Sequence, residues 1–291
     1  MPEPRAAVND APDCPSGGGT NEPSNGGTFA HEHNRRAWDA LVEQRQRFTR
    51  PAPDEDFVDP LGMLDPAGWF GGEISGKRLL CLAAGGGKHS ALYAAAGAQV
   101  TVVDLSPAML ALDRAVAAER SLNVRIIEAS MDDLSALSSG EFDLVIHPVS
   151  TCYVPDVPRV YREVARVTVA GGLYVSQHKQ PASLQAGTAR SSLGYELIEP
   201  YYRNGPLPAV VGSPHREPGT LEYLHRWEEL LGGLCRAGFV IEDLAEPLHA
   251  KEQAERGSFG DRSKYVAPYV RIKARRTGAA SSDRAPKLWT P

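Results

Sequence analysis

Between Arg78 and His178, short apolar runs alternate with helical patterns, and few folds accommodate that alternation. "RLLCLAA" (78–84), "AQVTVVD" (98–104), "NVRIIEA" (123–129), "FDLVIHPV" (142–149) and "GLYVSQH" (172–178) read as strands. "KHSALYAAAG" reads as a helix closed by Gly97, and "VPRVYREVARVTV" as one that ends before Gly171-Gly172. In "SPAMLALDRAVAAERS", Ser106 is an N-cap and Pro107 sits in the first turn, where its missing N–H costs nothing. After an irregular stretch the pattern resumes, with a helix over 221–238 and strands over 239–247 and 265–276. Strands that are almost continuously apolar, and separated by helices, pair in parallel with both faces covered. The expected fold is α/β, a doubly wound, mostly parallel sheet. The basic run "RIKARR" in the last strand suggests an edge strand with solvent-facing charges.

The flanking segments differ in composition. Residues 1–27 hold five prolines and five glycines among polar residues and are expected to be a disordered tail. Residues 28–70 read as an N-terminal helical cap, whose helix brings Ala37, Trp38, Leu41, Val42 and Phe48 toward one side. The main domain is expected over 71–276, with a Pro-, Gly- and Tyr-rich insertion at 181–220 forming a lid, and 277–291 as a polar tail.

A formal net charge of -5 argues against sequence-independent binding to nucleic acid. Cys14, Cys81, Cys152 and Cys235 have neither zinc-ligand spacing nor the density of a disulfide framework, which suits a reducing cytoplasm. No run reaches the roughly 18 apolar residues that span a bilayer. A cytoplasmic protein without metal, nucleic-acid or membrane partners is expected.

The first strand runs into "AAGGGKHS". A P-loop needs a glycine five residues before Gly87 and a hydroxyl after Lys88; Leu82 and His89 stand there. The dinucleotide fingerprint G-x-G-x-x-G finds no third glycine at the required step. What remains is a strand ending in small residues, three consecutive glycines and a helix N-terminus directly behind, a frame for close backbone approach to a ligand.

Here the chain resembles the class I S-adenosylmethionine (SAM)-dependent methyltransferases. "CLAAGGG" keeps Gly85 and Gly87 of the family loop, with Ala83 in place of its first glycine and Cys81 in place of an acidic residue that helps to place the methionine ammonium. The resemblance implies that Asp104, at the end of the second strand, binds the ribose hydroxyls and that Leu105 packs on adenine. In "EASMDDLS" it implies that Met131 offers its backbone N–H to the ring and Asp132 meets the exocyclic amine, with Ser130 where an acidic residue is common. "FDLVIHPVSTCYVPD" resembles the segment where the methionine part and the acceptor meet, and "RRAWDAL" resembles a stretch found in small-molecule bacterial methyltransferases. The implied fold is a seven-stranded sheet with a helical cap and a lid.

Methyl transfer from a sulfonium is an in-line displacement, catalysed mainly by alignment, with a base where the acceptor loses a proton. His147, after the fourth strand, is a candidate for both cofactor contact and general base. Tyr153 and His225 are candidates for the acceptor side, as are Tyr201 and Tyr202. The expected function is methylation of a small-molecule acceptor. A catalytically silent SAM-binding sensor or scaffold, and a methyltransferase acting on RNA or protein, are the alternatives.

Overall fold

The computed structural model describes residues 25–278, apart from 211, 212 and 214. Its sheet contains β1 (Arg78–Leu82), β2 (Gln99–Asp104), β3 (Val124–Glu128), β4 (Phe142–His147), β5 (Thr168–Lys179), β6 (Phe239–Ala245) and β7 (Tyr269–Arg276). The α-helices are α1 (Asn25–Glu43), α2 (Pro60–Leu64), α3 (His89–Ala95), α4 (Pro107–Glu119), α5 (Val157–Val167), α6 (Pro181–Gln185), α7 (Gly233–Arg236) and α8 (Phe259–Arg262). The strand order is β3-β2-β1-β4-β5-β7-β6. The first five strands pair in parallel, and β7 runs antiparallel between β5 and β6. This is the seven-stranded, mostly parallel class I arrangement.

Side chains alternate across a strand, so a central strand feeds two cores. Leu80 and Leu82 join Val145, Tyr174 and the Val157, Val160 and Val164 stripe of α5 on one face. Leu79 and Cys81 join Val102, Leu144, Ile146 and Tyr93 of α3 on the other. The Ser106 hydroxyl caps α4 by accepting from Met109 N (3.1 Å), a bond typically worth about 1 kcal/mol.

Four expectations change. Residues 1–24 of the expected tail lie outside the described residues, and residues 25–27 belong to α1; of the C-terminal tail, 279–291 also lie outside. The basic last strand is interior: Val270, Ile272 and Ala274 enter the α5-side core, while Arg271 meets Gln177 and Arg275 meets Glu242 on the opposite face. The helix expected over 221–238 forms only from a π turn at Glu228–Gly232 that continues into α7. Residues 221–226 are non-helical, because Glu222 and His225 are drawn inward to partners described below. Phe48 lies beyond α1 and is 53% exposed, and the buried face of α1 is partly polar, with Asn34 at 2% exposure.

Candidate active site

After Leu82 the chain turns through residues 83–88 into α3. Ala83 adopts φ 47°, a left-handed conformation that glycine takes without strain, and its N–H donates to Val103 O (2.7 Å). Sequence reasoning assigns the small loop residues to ligand clearance. At Gly85 and Gly87 the chain itself takes that space: a Cβ would lie 2.8 Å from Met109 Cβ and 2.9 Å from Val116 Cγ2, respectively. These glycines let the loop lie directly on α4.

Asp113 of α4 fastens it there. Only 1% exposed, its carboxylate accepts from Gly86 N (2.9 Å), Gly87 N (3.1 Å) and the Ser90 hydroxyl. Burial raises its pKa despite these bonds. Sequence reasoning missed this residue, yet a signal exists: a carboxylate on the apolar stripe of Met109, Leu110, Val116 and Ala117 needs donors nearby.

Asp104 ends β2, one strand over, beside the switch point between β1 and β4 where open α/β sheets bind ligands. Its Oδ2 accepts from Gly85 N (2.9 Å) and its Oδ1 from Ser106 N (2.9 Å). Burial pushes its pKa up to about 6, against the bonds from Ser106 and Gly85. Each oxygen retains acceptor capacity, which suits a pair of vicinal hydroxyls. Leu105 is half-buried beside it, Met131 is buried, and among the described residues the Met131 N–H donates to no protein acceptor. This donor set fits a nucleoside. Asp132, expected at the exocyclic amine, is engaged from its own chain: Oδ1 accepts from the Ser130 hydroxyl and lies 3.2 Å from His31 Nε2. Cys81 is fully buried in the α3-side core, where burial raises its thiol pKa, so it presents no charge to an ammonium group.

The cap is fixed across all these turns. Asp39 Oδ1 accepts from the Ser106 hydroxyl (2.6 Å) and Ala108 N (3.2 Å), and Lys88 pairs with Asp56 (3.2 Å). Asn34 donates to Tyr153 O (2.8 Å) and Leu221 O (3.1 Å), and accepts from Leu221 N (2.7 Å). Trp38 meets the Tyr153 ring edge-on at 5.6 Å. His33 Nε2 meets Gly219 O (2.8 Å), so one helix touches the ends of β2, β3 and β4 and the lid.

On the acceptor side the candidates separate. His147 is 1% exposed; its Nδ1 hydrogen-bonds the Tyr174 hydroxyl (2.8 Å), and its Nε2 is buried with no partner among the described residues. Burial lowers its pKa to about 3, so the imidazole is neutral and weakly basic. His225 Nε2 is shared between Thr151 O (3.0 Å) and Val154 O (2.9 Å), and thereby carries a proton and anchors the turn after β4. Tyr201 bonds Trp227 N and Tyr202 is exposed. Tyr153 is different: its hydroxyl donates to Glu217 Oε2 (2.7 Å) of the lid. Glu217 also takes Lys179 Nζ (2.7 Å), Lys179 reaches Glu222 (2.8 Å), and Glu222 takes Arg216 (2.7 Å). Burial opposes the Lys179 charge, but the Glu217 and Glu222 carboxylates outweigh it and raise its pKa. This four-member ion cluster joins the end of β5 to the lid, and its members are scattered too widely in sequence to be read together.

A family model described as a methyltransferase domain matches residues 80–176. The uncharacterized methyltransferase YbaJ of Bacillus subtilis is 32% identical over 229 residues, covering 74% of this chain and 89% of that protein. A ubiquinone biosynthesis O-methyltransferase of Xanthomonas oryzae is 35% identical over 128 residues, 43% of this chain and about half (52%) of that enzyme. Among solved structures, an S-adenosylmethionine-dependent methyltransferase from Mesorhizobium loti superposes with a TM-score of 0.59 at 24% identity, covering 76% of this chain and all (100%) of that one. The Streptomyces coelicolor geranyl diphosphate C-methyltransferase shares the fold at TM-score 0.55 and 17% identity, over 85% of this chain and 98% of its own. The similarity to YbaJ over most of both chains, on a seven-stranded sheet with an acidic residue closing β2 beside the glycine loop, makes this chain a member of the class I SAM-dependent methyltransferases.

Proposed function

We propose that this SAM-dependent methyltransferase acts on a small-molecule acceptor, held between the end of β4, the cap and the lid. The observation that carries this reading is the cap: α1 lies over the ends of β2, β3 and β4, bonded at Ser106, Asp132 and Tyr153, and meets the lid where His33 Nε2 reaches Gly219 O (2.8 Å). A site covered in this way favours a small acceptor over a folded macromolecule.

The cofactor supplies an activated methyl group when bound. The chain's own contribution is binding, alignment and exclusion of water. Asp104 holds the ribose, with Leu105 and Met131 beside the base, and the small-residue turn over 83–87 borders the methionine part. Tyr153, kept protonated because burial holds its hydroxyl well above the usual tyrosine pKa and giving its one O–H to Glu217, orients the acceptor by accepting a hydrogen bond on its oxygen. His225 anchors the turn after β4 through Thr151 O and Val154 O, and His147 is held by Tyr174.

The test incubates the protein with methyl-labelled SAM and either a low-molecular-weight metabolite extract or a cell lysate of protein and RNA. Label in extractable small molecules is expected. Label confined to protein or RNA would refute the acceptor class, and SAM binding without any labelled product would favour the silent sensor.

A further inference from the structure

Beside the end of β5 lies a second cavity, of about 240 Å³, whose walls include Lys179, Leu184, His215, Phe259, Arg262 and Tyr269. It sits under the lid, and Lys179 separates it from Tyr153, whose ring is 5.8 Å from the Lys179 ammonium. Its polar groups do not balance. Arg262, 1% exposed, donates through Nε to Gly187 O, through Nη1 to the Ser183 hydroxyl, and through Nη2 to Ser183 O and Ala186 O. These bonds use four of a guanidinium's five N–H groups and leave one on Nη1. Among the described residues no carboxylate lies within ion-pair distance of Arg262. The other charges around the cavity are matched, Lys179 with Glu217 and Glu222, Arg216 with Glu222, and Glu199 with Arg203.

His215 adds a second mismatch. Both of its ring nitrogens are buried and, among the described residues, have no hydrogen-bond partner, although the ring itself is stacked on Phe259 at 5.2 Å and 24°. Burial, Arg262 and Lys179 lower its pKa to about 4, so it offers one N–H and one acceptor nitrogen. A buried cation without a counter-ion and a buried imidazole without a partner each cost free energy that a bound ligand can recover.

We propose that this cavity binds the anionic end of a small acceptor carrying one planar ring, the anion facing the free N–H of Arg262 and the His215 ring, and the ring lying against Phe259, Tyr269 and Leu184. The proposal rests on the small-molecule reading above and narrows it to carboxylate or phosphate compounds of that size. A dry cavity of about 150 Å³ takes a benzene ring, so the volume here suits one ring with a short charged substituent.

Benzoate, phenyl phosphate and the neutral isostere benzamide are titrated into the full chain, with and without S-adenosylhomocysteine, while the His215 ring is followed by NMR in ¹⁵N-histidine-labelled protein. At least one anion is expected to shift the His215 resonances and to bind about tenfold or more tighter than benzamide. Whether benzoate or phenyl phosphate binds tighter distinguishes carboxylate from phosphate recognition. His215→Phe keeps the stack and is expected to lose that preference, and Arg262→Lys, which keeps the charge, is expected to retain part of it. Equal affinity for benzamide, or unmoved His215 resonances with all three probes, overturns the proposal. Those results leave the labelled-methyl assay untouched, whereas anion binding without label in small molecules refutes the acceptor class alone.

Discussion

Replacing Asp113 by alanine tests whether the glycine loop is held from behind. The substitution removes the acceptor of Gly86 N, Gly87 N and the Ser90 hydroxyl at a site 1% exposed. Gly87 N and the buried Ser90 hydroxyl lose their partner, at about 1–3 kcal/mol each, while Gly86 N keeps its bond to Met109 O (3.2 Å). The raised pKa of Asp113 shows that its buried charge is not fully offset, and losing that charge returns part of the cost. The net destabilisation should therefore fall near 2–4 kcal/mol, a large share of the 5–15 kcal/mol typical of a domain. If the loop is the part that loosens, SAM affinity should weaken by at least about tenfold, since each 1.4 kcal/mol is a factor of ten. Asp113→Asn retains one accepting oxygen and should fall between wild type and alanine. Urea unfolding gives the stability, and calorimetry with SAM gives the affinity. A stability within about 0.5 kcal/mol of wild type, the usual range of a neutral surface change, together with unchanged SAM affinity, would refute the reasoning.

Asp104 has a pKa raised to about 6, so the protonated form is favoured in the free protein below that value. Its contribution to folding stability is therefore fullest below the unfolded carboxyl value of about 4 and is lost as pH rises through about 6. SAM binding has the opposite trend: Kd should rise up to tenfold per unit as pH falls below about 6, and calorimetry from acid to neutral pH should show Asp104→Asn without that dependence. Gly87→Ala forces a Cβ against Val116 and Leu112 O at φ 72°, and thermal unfolding should register a loss of about 1–3 kcal/mol. Asn34→Leu leaves Tyr153 O, Leu221 O and Leu221 N unpaired, and should lower stability by about 2–5 kcal/mol and raise proteolysis near Glu43 and Gly219. Glu217→Gln should reduce kcat more than SAM affinity, because it loosens Tyr153 and Lys179 without touching Asp104, as separate rate and calorimetric measurements would show.

Local pattern carried most of the fold. The alternation of apolar strands with capped helices, each a periodicity within about ten residues, marks seven strands and the parallel sheet, and the small-residue turn before α3 with Asp104 on the next strand marks the cofactor end. The same local logic misread β7 and the 221–226 stretch. A basic strand can be interior when one face of the sheet stays open, and a helical pattern yields when Glu222 is worth more beside Lys179 and Arg216 than in a helix. Tertiary structure alone decided which residues meet: His31 with Asp132, Asp39 with Ser106, Asn34 with Tyr153 and Leu221, and Arg262 with the chain after α6. These partners are many tens of residues apart, and a polar side chain's sequence neighbours say nothing about which distant donor or carboxylate it will face once both are buried. The sheet follows from the order of side chains along the chain, whereas the cap, the ion cluster and the unbalanced cavity exist only where that chain returns upon itself.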